Sequence, residues 1–430
     1  MPSSGRPDRR DGAPVNVSLL EVMAAALALW LLAWLVIALA YRRELRRIVA
    51  EPVFRYPVLV LESDDWGAGP LAQVEALRAI ARVLGGHHDA SGRPAVMSLA
   101  LVLAVPDGES IRQGAPYTRM LLDDARLQAV RDALCEGESA GVFSLQLHGM
   151  EHYWPPALTS SADPDVQAWL REPAPATTEH LPSHLQSRWV DASTLPTRPL
   201  SRELIEAAVA DECRLFRSLF GRAPAVVVPP TFVWTRDVEA AWAAQGVACI
   251  VTPGWRYTMR GADGLPAGDE GPILQGERAG ALTYLVRCDY FEPLRGRGAD
   301  HALAVLERQV RLGQPCVLEN HRDNFIGDAT TAAASLGQLE RLCRESIARH
   351  PALRYLSSHE LAQILSDRDA AWLRSSMRER LPFWWQRLRL TGRPWKLLCW
   401  TGAAALAAPI VMALSRPGSR GESARPDAPV

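Results

Sequence analysis

Short, mainly apolar runs alternate along this chain with longer stretches whose apolar residues recur at helical spacing. The runs at 58–61, 96–103, 142–147, 225–228, 248–252, 282–286, 316–318 and 353–356 read as strands. Between them the spacing predicts helices near 71–84, 120–136, 201–219, 236–245, 300–312, 333–349 and 358–375. Regular strand–helix alternation implies a parallel sheet, and seven or eight repeats imply a closed α/β barrel over residues 50–375. One segment, 154–198, breaks the rhythm. It is rich in Pro, Ser, Thr and Ala and reads as a long loop inserted into the barrel.

The pattern changes at both ends. Residues 1–16 are polar and read as a disordered tail, and 22–41 is an uncharged run rich in Ala, Leu and Trp. Its length matches the roughly 20 helical residues that cross a bilayer. It ends in Tyr41-Arg-Arg-Glu-Leu-Arg-Arg47 rather than in a small-residue cleavage site, so 17–41 is expected to be a transmembrane anchor. Near the other end, Trp384, Trp385 and Trp395 are interleaved with Arg380, Arg387, Arg389 and Arg393, a composition suited to lipid headgroups. Residues 397–414 are then apolar despite Gly402 and Pro409, so 380–414 is expected to hold an interfacial segment and a second transmembrane helix. The competing reading is an apolar helix lying on the bilayer or packed on the domain. A polar tail, 415–430, follows.

Arginines set the expected orientation. Arg42, Arg43, Arg46 and Arg47 flank the first span on the domain side, against Arg6, Arg9 and Arg10 beyond it; the second span is biased the same way. This asymmetry predicts an integral protein of a bacterial inner membrane with its central domain in the cytoplasm, the alternative being the periplasm.

Composition adds exclusions. An apolar fraction of 48% over 430 residues describes a folded protein, and a net charge of -1 gives no basis for a nucleic-acid partner. The seven cysteines are scattered without a CxxC, which argues against a thiolate zinc site or a disulfide framework.

Three strand ends carry candidate chemistry. The first strand runs into Asp64 and Asp65. Successive strand residues face opposite ways, so these carboxylates should do different work unless the strand ends there. The third strand ends in His148-Gly-Met-Glu-His152, whose two histidines can face one metal ion from a helical turn or a tight loop. The strand at 316–318 runs into Glu319-Asn-His321, with Glu319 and Asp323 placed to orient the imidazole and raise its pKa. Taken singly, each has a plainer reading as helix-capping aspartates or surface histidines. Their convergence at the carboxyl ends of barrel strands, where such folds place chemistry, is the stronger signal.

In this order the motifs resemble those of the NodB-homology polysaccharide deacetylases, carbohydrate esterase family four. Ser63-Asp64-Asp65-Trp66-Gly67 is similar to the family's Thr-Phe-Asp-Asp-Gly with one residue inserted before the glycine, His148-Gly-Met-Glu-His152 to its His-Ser/Thr-x-x-His, and Leu318-Glu-Asn-His321 to its Leu-x-His with one extra residue. The resemblance spans about 55–360 and implies a distorted (β/α)7 barrel. It implies that Asp65, His148 and His152 hold a divalent metal, usually zinc, that Asp64 is the general base and that His321 protonates the departing amine. The implied activity is metal-dependent removal of an N-acetyl group from an amino sugar. With the spans, it predicts an acetylated glycan, a lipid-linked one among the candidates, and membrane lipid as partners.

Two departures stand out. The family's Arg-x-Pro-Tyr motif should fall near Val227-Val-Pro-Pro-Thr-Phe-Val-Trp234, where no arginine stands; Arg287, from the next strand end, is the candidate replacement. The family's Asp–Trp motif is not recognisable, with Asp289 or Trp255 as substitutes, and Thr231 and Trp234 are candidate sugar contacts. The missing arginine motivates the alternative of a non-catalytic, membrane-anchored binding or scaffolding protein of surface-polysaccharide assembly.

Overall fold

The computed structural model describes residues 18–174 and 177–415. The tail expected at 1–16 lies outside the described residues, as does the tail expected at 415–430 apart from Ser415, which ends the last helix; the arginines on the far side of each span lie outside them too.

The barrel grows around β1 (Val58–Gly67), which is buried along its whole length. Its apolar residues serve two cores by simple alternation. Val58 and Val60 point into the barrel with Ala100, Val226, Val228, Val251, Leu285 and Val317. Leu59 and Leu61 face outward, under the helices. Around β1 lie β2 (Met97–Val102), β3 (Phe143–Leu147), β4 (Val226–Val227) and β5 (Cys249–Thr252), followed by the short antiparallel β6 (Arg278–Ala279). Then come β7 (Leu282–Val286), β8 (Asp289–Tyr290), β9 (Cys316–His321) and β10 (Arg354–Tyr355). The sheet order is β6-β7-β5-β4-β3-β2-β1-β9-β8, with β10 beside the start of β1.

Two residues join its ends. The Arg287 N–H donates to the Thr252 carbonyl on one side, and the Cys288 N–H donates to the Val317 carbonyl on the other. The segment 282–290 thus pairs with β5 below and β9 above, and seven parallel strand positions run round a distorted barrel. Helices α3 (Gln73–Gly85), α4 (Gln128–Ser139), α5 (Arg202–Phe220), α6 (Arg236–Ala244), α7 (Ala299–Leu312) and α8 (Ala329–Arg349) form the outer layer. Leu361, Ile364 and Leu365 of α9 (Ser358–Asp367) fill the foot of the lumen.

The expected insertion is an ordered unit. Tyr153, Leu158, Val166, Trp169, Leu181 and Leu185 build a small core of its own.

The flanking helices gather at the foot, the amino-terminal end of the strands. Helix α1 (Leu19–Ala40) has no buried residue, and its 22 residues make a rod of about 33 Å. It continues through α2 (Arg42–Ala50) to the barrel. The carboxyl-terminal chain forms α10 (Met377–Arg389), α11 (Arg393–Trp400) and α12 (Ala403–Ser415). The expected second span is two short helices bent by 98° at Thr401-Gly402, not one straight rod. Trp30 of α1 donates its indole N–H to the Thr401 carbonyl at 3.0 Å, tying the bend to the first helix.

Arg387 fixes this assembly. Its guanidinium donates to the carbonyls of Ile48, Glu51, Pro52, Leu312 and Gly313, joining α2, the approach to β1, the end of α7 and α10.

Candidate active site

The two aspartates share a face because β1 bulges. Its register against β2 shifts between Ser63 and Trp66, and Asp65 sits at φ 71°, a left-handed conformation that costs a non-glycine residue of order 1 kcal/mol. Simple alternation would have sent Asp64 and Asp65 to opposite faces; the bulge turns both into one cavity of about 270 Å³. Behind it, the Trp66 indole donates to Ser63 Oγ at 2.8 Å, and Ser63 Oγ lies 3.0 Å from Asn320 Oδ1.

His148 and His152 come from an irregular turn after β3, not a helix. Gly149 is at φ 101°, and a Cβ there would meet the Glu151 carbonyl at 2.9 Å, so the turn demands glycine. Buried carboxylates pin it. Glu212 accepts from the Met150 N–H at 2.9 Å and from the Trp242 indole at 2.8 Å, while Glu151 is held by Arg119 and Arg188. Burial pushes the Glu212 carboxyl up to about 7.

The candidate ligands converge. Asp65 Oδ1 lies 3.5 Å from Nε2 of both His148 and His152. His148 Nδ1 is 2.7 Å from the Val228 carbonyl, to which it must donate, leaving Nε2 as the atom with a free lone pair. Asp65 Oδ1 is buried without a hydrogen-bond partner, a costly state for a carboxylate oxygen and the condition a cation would relieve. Two imidazoles and one carboxylate suit a divalent ion with open positions, so the residues present fit a metal. Burial drives the His152 imidazole down to about 4, keeping it neutral as a ligand must be.

Arg287 stands beneath Asp64. Its Nη1 and Nη2 donate to the two carboxylate oxygens at 2.7 Å each, its Nε donates to Glu62 at 2.6 Å, and its Nη1 lies 3.4 Å from Glu319. It comes from the end of β7, two positions round the sheet from β4, where the adjacent strand end had been expected to supply it. At the β4 end stands Phe232, whose ring lies 5.6 Å from the guanidinium carbon. Burial opposes ionisation of Asp64, but the Arg287 charge outweighs it and holds its carboxyl below the ordinary range.

His321 closes the opposite wall. Its Nδ1 bonds to Glu292, and its Nε2 lies 3.5 Å from Glu319. Burial favours the neutral ring, yet the Glu292 hydrogen bond and the Glu319, Asp65 and Asp64 charges lift it to about 10. The strongest hold on the ring is thus Glu292, not the Glu319 and Asp323 that flank it in sequence. Asp323 lines the cavity and faces Arg295 at 3.5 Å.

Other expected contacts divide. Thr231 lines the cavity, bonded to Ser187 of the insertion at 2.8 Å. Trp234 does not reach it: the residue is wholly buried, with its indole N–H on Glu239 at 2.9 Å, because the apolar ring completes the outer core. Asp289 is also elsewhere, paired with His301 at 2.9 Å and Arg308 at 3.4 Å on the outer side of the barrel. Sequence reasoning missed Glu179, which lines the cavity from the insertion and is held by Arg322 at 3.1 and 3.2 Å. It also left Glu62 and Glu292 without a role; a buried acid inside an apolar strand end was the available signal for Glu62.

No protein-family model matches the chain, and no curated protein matches it. Solved structures do. The chain is similar to polysaccharide deacetylases of carbohydrate esterase family four. A peptidoglycan deacetylase from Bacillus subtilis is 12% identical over 74% of this chain and 95% of that one, with a TM-score of 0.36. A family-four pseudoenzyme from Bacillus anthracis is 9% identical over 72% of this chain and 66% of that one, with a TM-score of 0.35. A 4-α-glucanotransferase from Thermococcus litoralis is 11% identical over 73% of this chain, with a TM-score of 0.37, and there the chain spans only 40% of the matched length.

Proposed function

We propose that this protein is a membrane-anchored, metal-dependent hydrolase that removes an N-acetyl group from an amino sugar of an acetylated glycan. The observation that carries the reading is the convergence of Asp65, His148 and His152 around an unpartnered carboxylate oxygen, with Asp64 and His321 lining the same cavity. Helix α1, apolar, unburied and long enough to cross a bilayer, supports the anchor.

A divalent ion, with zinc favoured by the two-imidazole, one-carboxylate donor set, would supply a Lewis acid for the amide carbonyl and for water. The remaining work falls to the chain. Asp64, kept ionised by Arg287, accepts the proton of the attacking water. His321, kept protonated by Glu292 and Glu319, gives its Nε2 proton to the departing amine nitrogen. Base and acid with pKa values pushed apart by their surroundings are what amide hydrolysis needs from side chains.

The non-catalytic alternative was motivated by the absent third-motif arginine. The bidentate Arg287–Asp64 pair supplies a guanidinium at the base by another route and removes that motive. The test is acetate release from an acetylated amino-sugar oligomer by purified full-length protein carrying its metal. Release that disappears in Asp64→Asn and His321→Ala is expected; no release from metal-loaded protein overturns the proposal.

A further inference from the structure

The barrel has two functional ends, and they face opposite ways. Asp64, Asp65, His148 and His321 all lie at or just past the carboxyl ends of β1, β3 and β9. The flanking helices join the amino-terminal end: Arg387 of α10 donates to Pro52 ahead of β1 and to Gly313 ahead of β9, and Arg380 donates to the Val49 carbonyl at 2.8 Å. The foot also carries an interfacial belt. Arg380 lies over the Trp384 ring at 4.6 Å, Arg389 over Trp395 at 5.7 Å, and Trp385 packs on Trp395 with centroids 5.3 Å apart. Indoles beside guanidinium groups, next to an exposed apolar rod, match the headgroup layer of a bilayer.

Asp64 stands six residues beyond Val58, the first residue of β1, so at ~3.3 Å per residue the site lies roughly 20 Å along the strand from the foot. We infer that the protein sits on the membrane by its foot with its catalytic mouth turned to water, and that its substrate is a water-exposed acetylated glycan reaching the mouth about a barrel height above the lipid, rather than a single sugar held at the headgroups by a lipid carrier. A short lipid-linked sugar would have to rise roughly 20 Å clear of the headgroups to meet Asp64. This inference rests on the anchored-deacetylase reading and narrows its substrate.

The test has two arms, both on the full chain in phosphatidylethanolamine–phosphatidylglycerol vesicles. Exposed Cys135 and Cys399 are replaced by serine, and a donor dye is attached at Leu294→Cys beside the mouth or at Arg311→Cys at the foot. Energy transfer to acceptor-labelled lipid headgroups should be several-fold stronger from 311 than from 294; equal or reversed transfer overturns the orientation. In the second arm, acetate release is compared between a water-soluble N-acetylglucosamine oligomer and a short lipid-linked acetylated sugar in the same vesicles. Release mainly from the soluble oligomer is expected, and release confined to the lipid-linked sugar overturns the substrate inference. Release from neither overturns the deacetylase reading, while the dye arm still decides the orientation.

Discussion

Arg287 and Arg387 are both buried, one near each end of the barrel, and their partners differ in kind. Arg387 meets five backbone carbonyls, which are neutral dipoles fixed by the fold, so its work is to hold chain segments together. Arg287 meets Glu62, Asp64 and Glu319, three carboxylates that would repel one another without it. Buried charge answered by carbonyls stitches; buried charge answered by an excess of opposite charge sets protonation states. The contrast separates a structural end of the molecule from a chemical one.

Arg287→Met should show the largest effect. Removing one partner of a buried ion pair costs about 3–5 kcal/mol, and here the acids left behind are crowded together. Without the guanidinium, the Asp64 carboxyl moves up, so whatever acetate release survives should be confined to higher pH. Thermal unfolding and a pH–rate profile read both effects; a variant with unchanged stability and an unshifted acid limb would show that Arg287 does not set the state of Asp64. Next come the ligands. His148→Ala and His152→Ala should each lose the divalent ion found by elemental analysis of the wild type. The wild type should be stabilised by about 4 kcal/mol with metal at a thousandfold excess over its dissociation constant, a gain that chelation removes.

His321 sharpens the comparison through pH. Its folded pKa, about 10, is raised above the ordinary histidine value, so its stabilising contribution is fully present below about 6.5 and lost as pH rises through 10. Stability should therefore decline across that window in the wild type, with a shallower decline in His321→Gln. Urea unfolding at several pH values measures it, and identical slopes would mean that the ring is not held protonated. A bound ion would offset part of the Asp65 charge and lower the folded pKa of His321, so in the metal-loaded protein the decline should be smaller and end at lower pH than in the metal-free one.

Arg387→Met tests the other end. The loss is about 1–3 kcal/mol for leaving carbonyls unanswered, with acetate release from a soluble oligomer retained. A fall in turnover matching that of Arg287→Met would erase the distinction between the two ends.

What could be read from the sequence follows the same division. The barrel strands were legible because burial on both faces leaves continuous apolar runs, as at 58–61 and 248–252. The strand-end carboxylates and histidines were legible because polar groups directly after such runs are costly to place. The bulge at Asp65 was not, since its φ of 71° has no signature in a residue that usually adopts extended backbone within a strand. Arg287 was visible only as a candidate, because a strand two positions away supplies it. Glu292, which holds His321, and Glu179, which enters from the insertion, reach the site only through tertiary packing. At the foot, the apolar and aromatic composition of 380–414 could be read directly, but the 98° bend could not be placed from Gly402 alone.

Glu179 should give the smallest effect and the finest cut between holding and reacting. Its carboxylate lines the cavity, and Arg322, itself buried, clamps it at 3.1 and 3.2 Å. Burial and the nearby Asp65 charge push its pKa up, against the pull of Arg322. Glu179→Gln keeps the shape and an oxygen for Arg322 while deleting the charge. If the insertion only walls the cavity and helps to place the sugar, KM should rise several-fold, equivalent to about 1 kcal/mol, with kcat within twofold of the wild type. A kcat loss of a hundredfold or more would instead make Glu179 part of the proton traffic, and the chemical end of the barrel would then extend into a segment that the strand pattern does not contain.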